Sequence, residues 1–263
     1  LLDFSLFRNP QFAAAAGVTL IYGAGLFGST YLIPVFVQTI QGFTATRSGL
    51  LLMPAGLVLA VIFPLAGRLS DRLPPHYPVL SGLAVFALSF WLLRDVDANT
   101  SFAFLACAIA LGRIGLGLVM PALTAGSLRA VDPQKIAQGS GTVNFLRQLG
   151  GALGVNVLTV FMERRTAFMV DAMTATQTSG NPSTQALMDR MTELSQAGGA
   201  PGDLAQGYAA DFLGRVIYAQ ANTLAYREGF ILVSVLFLVA MGPAWLIGRT
   251  RETRHVSPDP ARL

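Results

Sequence analysis

The sequence predicts an all-α membrane protein with six transmembrane helices. Three observations carry that prediction. Of the 263 residues, 53% are hydrophobic and only 12% charged; the mean hydropathy is +0.55; and uncharged runs of bilayer-spanning length recur along the chain. A soluble domain carries about 25% charged residues, whereas crossing ~30 Å of hydrocarbon takes about 20 apolar residues at 1.5 Å each. The same composition excludes other classes. A single cysteine, Cys107, and two histidines leave no intrachain disulfide and no metal-ligand spacing, so no metal and no cofactor is expected. There is no glycine loop of the G-x-x-x-x-G-K type for ATP, and no nucleophile-base constellation that would make the chain an enzyme. The chain opens on Leu1-Leu2-Asp3, without Met or a basic stretch before a short apolar run. This predicts no signal peptide and a chain cut from a longer one.

Residues 1–10 read as a lead-in, followed by a first span from Phe12 to Gln38 without a charge. On it Thr19, Tyr22, Leu26 and Ser29 share a helical face, with Pro34 beyond, so this helix could line a polar cavity and bend; interhelical hydrogen bonds are the alternative use. The second span, Ser48 to Gly67, and the third, Tyr77 to Leu93, are each bounded by arginine on at least one side. Pro54 and Pro64 in the second predict kinks, as does Pro121 in the fourth. That fourth span, Ser101 to Leu128, is apolar except for Arg113, which is buried or snorkels outward depending on where the span is framed. The fifth, Ile136 to Met162, is apolar except for Arg147.

Residues 163–228 are mostly polar and read as a long extracytoplasmic loop. Within it Leu187, Met191 and Leu194 repeat at helical spacing, as do Leu213, Val216, Ile217, Ala221 and Leu224, with Gly198-Gly199-Ala200-Pro201-Gly202 as a break between them. These pieces are expected to lie on the outer face or to extend the last span, Gly229 to Gly248, outward. Residues 249–263 form a basic tail.

The basic residues fix the orientation through the positive-inside rule. Arg8, Arg68, Arg72, Arg129, Lys135, Arg249, Arg251, Arg254 and Arg262 fall on one side, against Arg47 and Arg94 on the other. Both termini are therefore expected in the cytoplasm and the protein in the plasma (inner) membrane. The net charge of +4 marks membrane sides and not a nucleic-acid partner.

The fifth span carries the most informative chemistry. Ser140, Asn144, Arg147, Gln148 and Gly151 fall on one helical face, while Gly150 and Gly154 form a small-x-x-x-small pair that permits close helix packing. Arg147 follows Ile136 by 11 residues, about 17 Å into the membrane. A charge at that depth costs at least a few kcal/mol, on the order of 3, unless it finds a partner. No Asp or Glu lies inside the six spans, so the partner must be a polar side chain, a carbonyl, water, an anionic ligand or a carboxylate outside this chain. A structural role, bonding to carbonyls of a neighbour, explains Arg147 equally well.

Between the second and third spans, Gly67-Arg68-Leu69-Ser70-Asp71-Arg72 resembles the G-x-L-x-D-R core of the loop signature of major facilitator superfamily transporters, which follows the second helix of each six-helix half. Pro74, Pro75 and His76 stand where that signature usually ends in glycine and basic residues. Three further stretches, Leu2 to Asn9, Gly115 to Pro121 and Asn144 to Gly154, resemble the second half of the fourteen-helix drug:proton antiporters. The resemblance implies one half of a major-facilitator-type bundle, the C-terminal half of a proton-coupled multidrug efflux transporter working by alternating access. Its partners would be the missing N-terminal half, the bilayer, a small-molecule substrate and protons. The residues implied are Thr19, Tyr22, Ser29, Asn144, Arg147 and Gln148 at the substrate cavity; Gly67, Arg68, Asp71 and Arg72 at a cytoplasmic gate; Gly150, Gly151 and Gly154 in packing; and Arg113 as a second intramembrane charge. Two rival readings stand beside it. One is a transporter of a polar or anionic metabolite, which a second basic residue facing the cavity would favour. The other is a six-span scaffold whose long external loop binds a partner.

Overall fold

The computed structural model describes residues 4–129, 131–178 and 180–249. After a 3-10 turn at Phe4–Arg8, seven α-helices follow. They are α1 (Pro10–Thr39), α2 (Ala45–Arg72), α3 (His76–Leu92), α4 (Phe102–Arg129), α5 (Ile136–Thr174), α6 (Pro182–Ala197) and α7 (Gly202–Arg249). Six of these, all but α6, are long and apolar enough to cross a membrane, and among the described residues there is no strand.

Local chemistry sets the ends. Asn9 caps α1 by accepting from the Gln11 amide, with Pro10 in the first turn where its missing N–H costs nothing. Thr44 caps α2 by accepting from the Arg47 amide. Gly42, at φ 65°, turns the chain between them in a conformation that favours glycine.

Three boundaries differ from the sequence expectation for one reason. Charged residues end a hydrocarbon-spanning run but not a helix; glycine and proline end helices. So α2 continues past Gly67 to Arg72 and stops ahead of Pro74-Pro75. Likewise α5 runs through Met162 to Thr174, and α7 begins at Gly202, far ahead of Gly229. The predicted loop over 163–228 is therefore two helix extensions joined by a short segment that holds α6, and the break after α6 falls at Gly199, whose φ is 89°. The predicted kink prolines, Pro34, Pro54, Pro64 and Pro121, all lie within continuous helices. The predicted basic tail lies outside the described residues apart from Arg249, where α7 ends.

The helices alternate in direction between a tail end, where α1 begins and α7 finishes, and a hairpin end, where α6 sits. At the hairpin end the Gln41 amide donates to the carbonyls of Asp97 and Thr100, and Arg227 donates to the carbonyls of Val96 and Asp95. At the tail end Gly126 lies against Pro75 and Ile247. The core sits among α1, α3, α4 and α7, where Phe36, Tyr226, Phe230, Phe90, Phe86 and Phe237 form a chain of ring contacts.

Lipid is as apolar as a phenylalanine, so close approach of backbones and interhelical hydrogen bonds must hold such a bundle. Both are present. A Cβ on Gly82 would meet the Gly115 carbonyl oxygen at 2.6 Å, and one on Gly115 the Gly82 oxygen at 2.5 Å. Buried hydroxyls tie helix to helix: Ser89 donates to the Ala108 carbonyl at 2.7 Å and Ser234 to the Ala87 carbonyl at 2.8 Å.

Candidate functional site

α5 presents two adjoining faces with different work. Gly150, Gly151 and Gly154 lie against α1. A Cβ at Gly150 would fall 2.0 Å from the Leu20 carbonyl oxygen, at Gly151 2.3 Å from the Phe27 ring, and at Gly154 2.5 Å from Ala24. Gly23 of α1 returns the contact, its missing Cβ leaving room for the Arg147 carbonyl. Gly151 thus belongs to the packed seam and not to the polar face on which its spacing placed it.

Beside that seam, Asn144 and Gln148 are exposed and Arg147 is half-buried. The Arg147 guanidinium donates to the Asn144 Oδ1, so one helical turn supplies a partner from its own face. Further round, Phe145, Leu149, Leu153, Val157 and Val160 form an exposed apolar stripe.

The three cavity residues predicted on α1 are buried. Thr19 and Ser29 donate to the carbonyls of Ala15 and Leu26 on their own helix, which occupies both hydroxyls and leaves neither as a free donor to a ligand. Tyr22 donates across to the Leu116 carbonyl of α4 at 3.2 Å. It is a strut between α1 and α4 and not, in this arrangement, an open lining residue.

Tyr22, which the sequence reading puts with Arg147 at one cavity and apart from Arg113, has both charges in its surroundings. Both Arg147 and Arg113 lie close enough to act on it electrostatically. Arg113, half-buried on α4, donates to the Thr30 hydroxyl of α1 at 3.3 Å. Tyr22 is 12 residues into α1, Arg113 11 into α4 and Arg147 11 into α5, so at 1.5 Å per residue all three stand about 17–18 Å from their helix starts, near the middle of the membrane. That shared depth was the available signal. Which faces meet was not, because the three residues come from three helices.

At the tail end, Gly67, Arg68, Asp71 and Arg72 occupy the last two turns of α2 and not a loop. Arg68, Asp71 and Arg72 are exposed. Among the described residues nothing lies within 4 Å of the place a Gly67 Cβ would take, so the glycine serves no close helix approach among them. The neighbouring Ser70 hydroxyl and His76 Nδ1 are buried without a hydrogen-bond partner among the described residues.

The sequence pattern of the Major Facilitator Superfamily matches residues 2–155. The chain is 24% identical over 246 residues to the multidrug export protein EmrB of Escherichia coli (strain K12), covering 93% of this chain and 46% of that protein. It is 26% identical over 246 residues to the fatty acid resistance protein FarB of Neisseria gonorrhoeae, covering 94% and 47%. Among solved structures, a bacterial homologue of the human lysosomal transporter Spinster, inward-facing and unoccupied, superposes with a TM-score of 0.68 at 18% identity, over 98% of this chain and 52% of that one. The chain spans about half the length of the curated relatives it matches.

Proposed function

Because the chain belongs to the Major Facilitator Superfamily, a family of membrane transporters and not of enzymes, we propose that it is the C-terminal half of a proton-coupled multidrug efflux transporter working by alternating access. The single observation that carries this reading is a bundle of six helices long and apolar enough to cross a membrane that matches about half the length of its efflux relatives. In the proposed cycle the α1, α4 and α5 faces supply one wall of a central cavity, and a preceding half supplies the other. The exposed end of α2, with Arg68, Asp71 and Arg72, meets that half at a cytoplasmic gate, and exposure of these charges here is what an unpaired gate surface requires. No carboxylate lies inside the membrane-spanning runs of this chain, so the group that binds and releases the proton is assigned to the other half. Both termini then face the cytoplasm.

The reading is tested by expressing the chain in frame with the coding sequence immediately upstream of Leu1, in a bacterium lacking its own efflux pumps, and following ethidium extrusion. Energy-dependent extrusion that a protonophore abolishes is expected. Extrusion that survives the protonophore overturns proton coupling, and no extrusion of any of a panel of amphiphiles overturns efflux.

A second reading has its own support. Two half-buried guanidinium groups beside Tyr22, with no carboxylate in the spans, favour an anionic substrate, and FarB, one of the relatives, is named for resistance to fatty acids. Under it, Arg113→Gln and Arg147→Gln each impair export of a carboxylate amphiphile far more than export of a cation of similar size.

A further inference from the structure

A cavity of about 490 Å³ opens at the hairpin end among α1, the turn after α3, α5 and α7, within the ~300–1,000 Å³ typical of small-molecule sites. Ile40 and Arg227 lie on its wall, two residues outside the predicted spans that end at Gln38 and begin at Gly229. At 1.5 Å per residue that is about 3 Å beyond the hydrocarbon, inside the roughly 5–8 Å that a headgroup layer adds on each side of the bilayer. Exposed Ala98, Asn99, Ala219 and Gln220 form the rim.

Two opposite charges line this cavity, Arg227 and Asp97, both half-buried. Each is held in place by part of its own charged group. The Arg227 Nε donates to the Val96 carbonyl at 2.8 Å and its Nη2 to the Asp95 carbonyl at 3.2 Å, so Nη1 is left without a hydrogen-bond partner among the described residues. The Asp97 Oδ1 accepts from the Asn99 amide and the Thr100 hydroxyl, both at 2.9 Å, which leaves Oδ2 without a partner among the same residues. The two groups lie close enough for Arg227 to act electrostatically on Asp97, yet among the described residues they form no ion pair. They are fixed apart, each with one polar atom to spare.

Arg227 repels a simple cation from this wall and Asp97 a simple anion, whereas a ligand that carries both charges a few bonds apart satisfies both. At this depth the abundant molecule of that kind is a phospholipid whose headgroup joins a phosphate to an ammonium. We propose that the cavity binds the phosphoethanolamine headgroup of a zwitterionic membrane lipid, its phosphate on Arg227 Nη1 and its ammonium on Asp97 Oδ2. The side-chain amides of Asn99 and Gln220 at the rim are donors for the remaining phosphate oxygens, and Ile40 and Leu224 give the ethylene and glycerol carbons an apolar wall. A neighbouring cavity, lined by Glu163, Asp171, Tyr31, Tyr218 and Tyr226, has no basic residue on its wall and so lacks this pairing. The lipid site rests on the geometry of this chain and holds whether or not the central face transports.

The test is native mass spectrometry of the protein, expressed with the coding sequence upstream of Leu1 and purified free of lipid in detergent, titrated with phosphatidylethanolamine or with phosphatidylglycerol, whose headgroup has the phosphate but no ammonium. The first phosphatidylethanolamine is expected to bind about tenfold more tightly than the first phosphatidylglycerol, the usual worth of one charge-assisted hydrogen bond. Asp97→Asn should abolish that preference while keeping the Oδ1 that the turn uses, so circular dichroism should match the parent. Arg227→Gln should weaken both lipids; should it fail to fold, Asp97→Asn decides alone. Free phosphoethanolamine at millimolar concentration separates the two sources of this chemistry: lipid that stays bound assigns the site to the membrane, and lipid that is displaced assigns it to the soluble zwitterion. Equal binding of the two lipids by the parent, or an undiminished preference in Asp97→Asn, overturns the proposal.

Discussion

Gly150 and Gly67 both lie inside long helices, but their surroundings are opposite. A methyl on Gly150 would fall 2.0 Å from the Leu20 carbonyl oxygen, whereas one on Gly67 meets nothing within 4 Å. Backbone cannot swing aside as a side chain does, so Gly150→Ala must part α1 from α5. It should destabilise the bundle by about 1–3 kcal/mol, the usual cost of overpacking, seen as a lower melting temperature in detergent. Gly67→Ala should leave the melting temperature unchanged or raise it, since alanine favours a helix by up to about 1 kcal/mol over glycine. A comparable loss from Gly67→Ala would show that its open surroundings are covered by a partner in the assembled protein. At the same scale, the turn after α3 is built around the Asp97 carboxylate, which accepts from the Asn99 amide and the Thr100 hydroxyl, both at 2.9 Å. Those hydrogen bonds favour the charged form and hold the carboxyl below its ordinary value of 3.8. A depressed carboxylate stabilises the fold above its unfolded value and loses that contribution as the pH falls through its folded one. The turn should therefore loosen below pH 3.8, read as faster amide exchange at Asn99, and Asp97→Asn should remove that pH dependence.

Between elements, the hairpin end is fastened from two sides by neighbouring residues of α7. Arg227 donates to the carbonyls that follow α3, and Glu228 takes a bidentate ion pair from Arg165 of α5. Both partners of that pair are about one-third exposed, 33% each, so solvent screens it. A double-mutant cycle on Arg165→Gln and Glu228→Gln should give a coupling of about 1 kcal/mol or less, measured by thermal or denaturant unfolding. A coupling near zero would mean that the α5 and α7 extensions are held by apolar packing alone. The Asp211–Arg215 pair on α7, four residues apart and formed at 2.8 Å with both side chains largely exposed, should contribute still less.

For the whole molecule, the alternation of six spans places the turns at Asn99 and Gln134 on opposite sides of the membrane, both exposed. With Cys107 replaced by serine, Asn99→Cys should react with a membrane-impermeant maleimide on intact cells, and Gln134→Cys only after permeabilisation; the reverse pattern would invert the proposed orientation. The number of spans, their order and the positive-inside bias were legible in the sequence because a bilayer imposes one dominant constraint, apolar length, and that constraint is local. Helix ends beyond the hydrocarbon were legible less well: Arg68, Glu163 and Glu228 close the apolar runs while the backbone hydrogen bonding runs on, and Pro74, Gly199 and Pro201 mark the breaks. Gly150 and Gly154 were legible as a packing pair, but not α1 as the surface they pack on, and Tyr22 was legible as polar within a span, but not as a strut to the Leu116 carbonyl. By itself, then, the sequence determined the class of the protein, its spans and the position of Arg147 along its helix. The tertiary structure alone decided that Tyr22 bonds to the Leu116 carbonyl and Arg113 to the Thr30 hydroxyl, and that Glu163 and Asp171 line one cavity with three tyrosines. Depth along a helix follows from counting residues at 1.5 Å each, whereas the rotation of one helix against another is set by interlocking side chains distant in sequence.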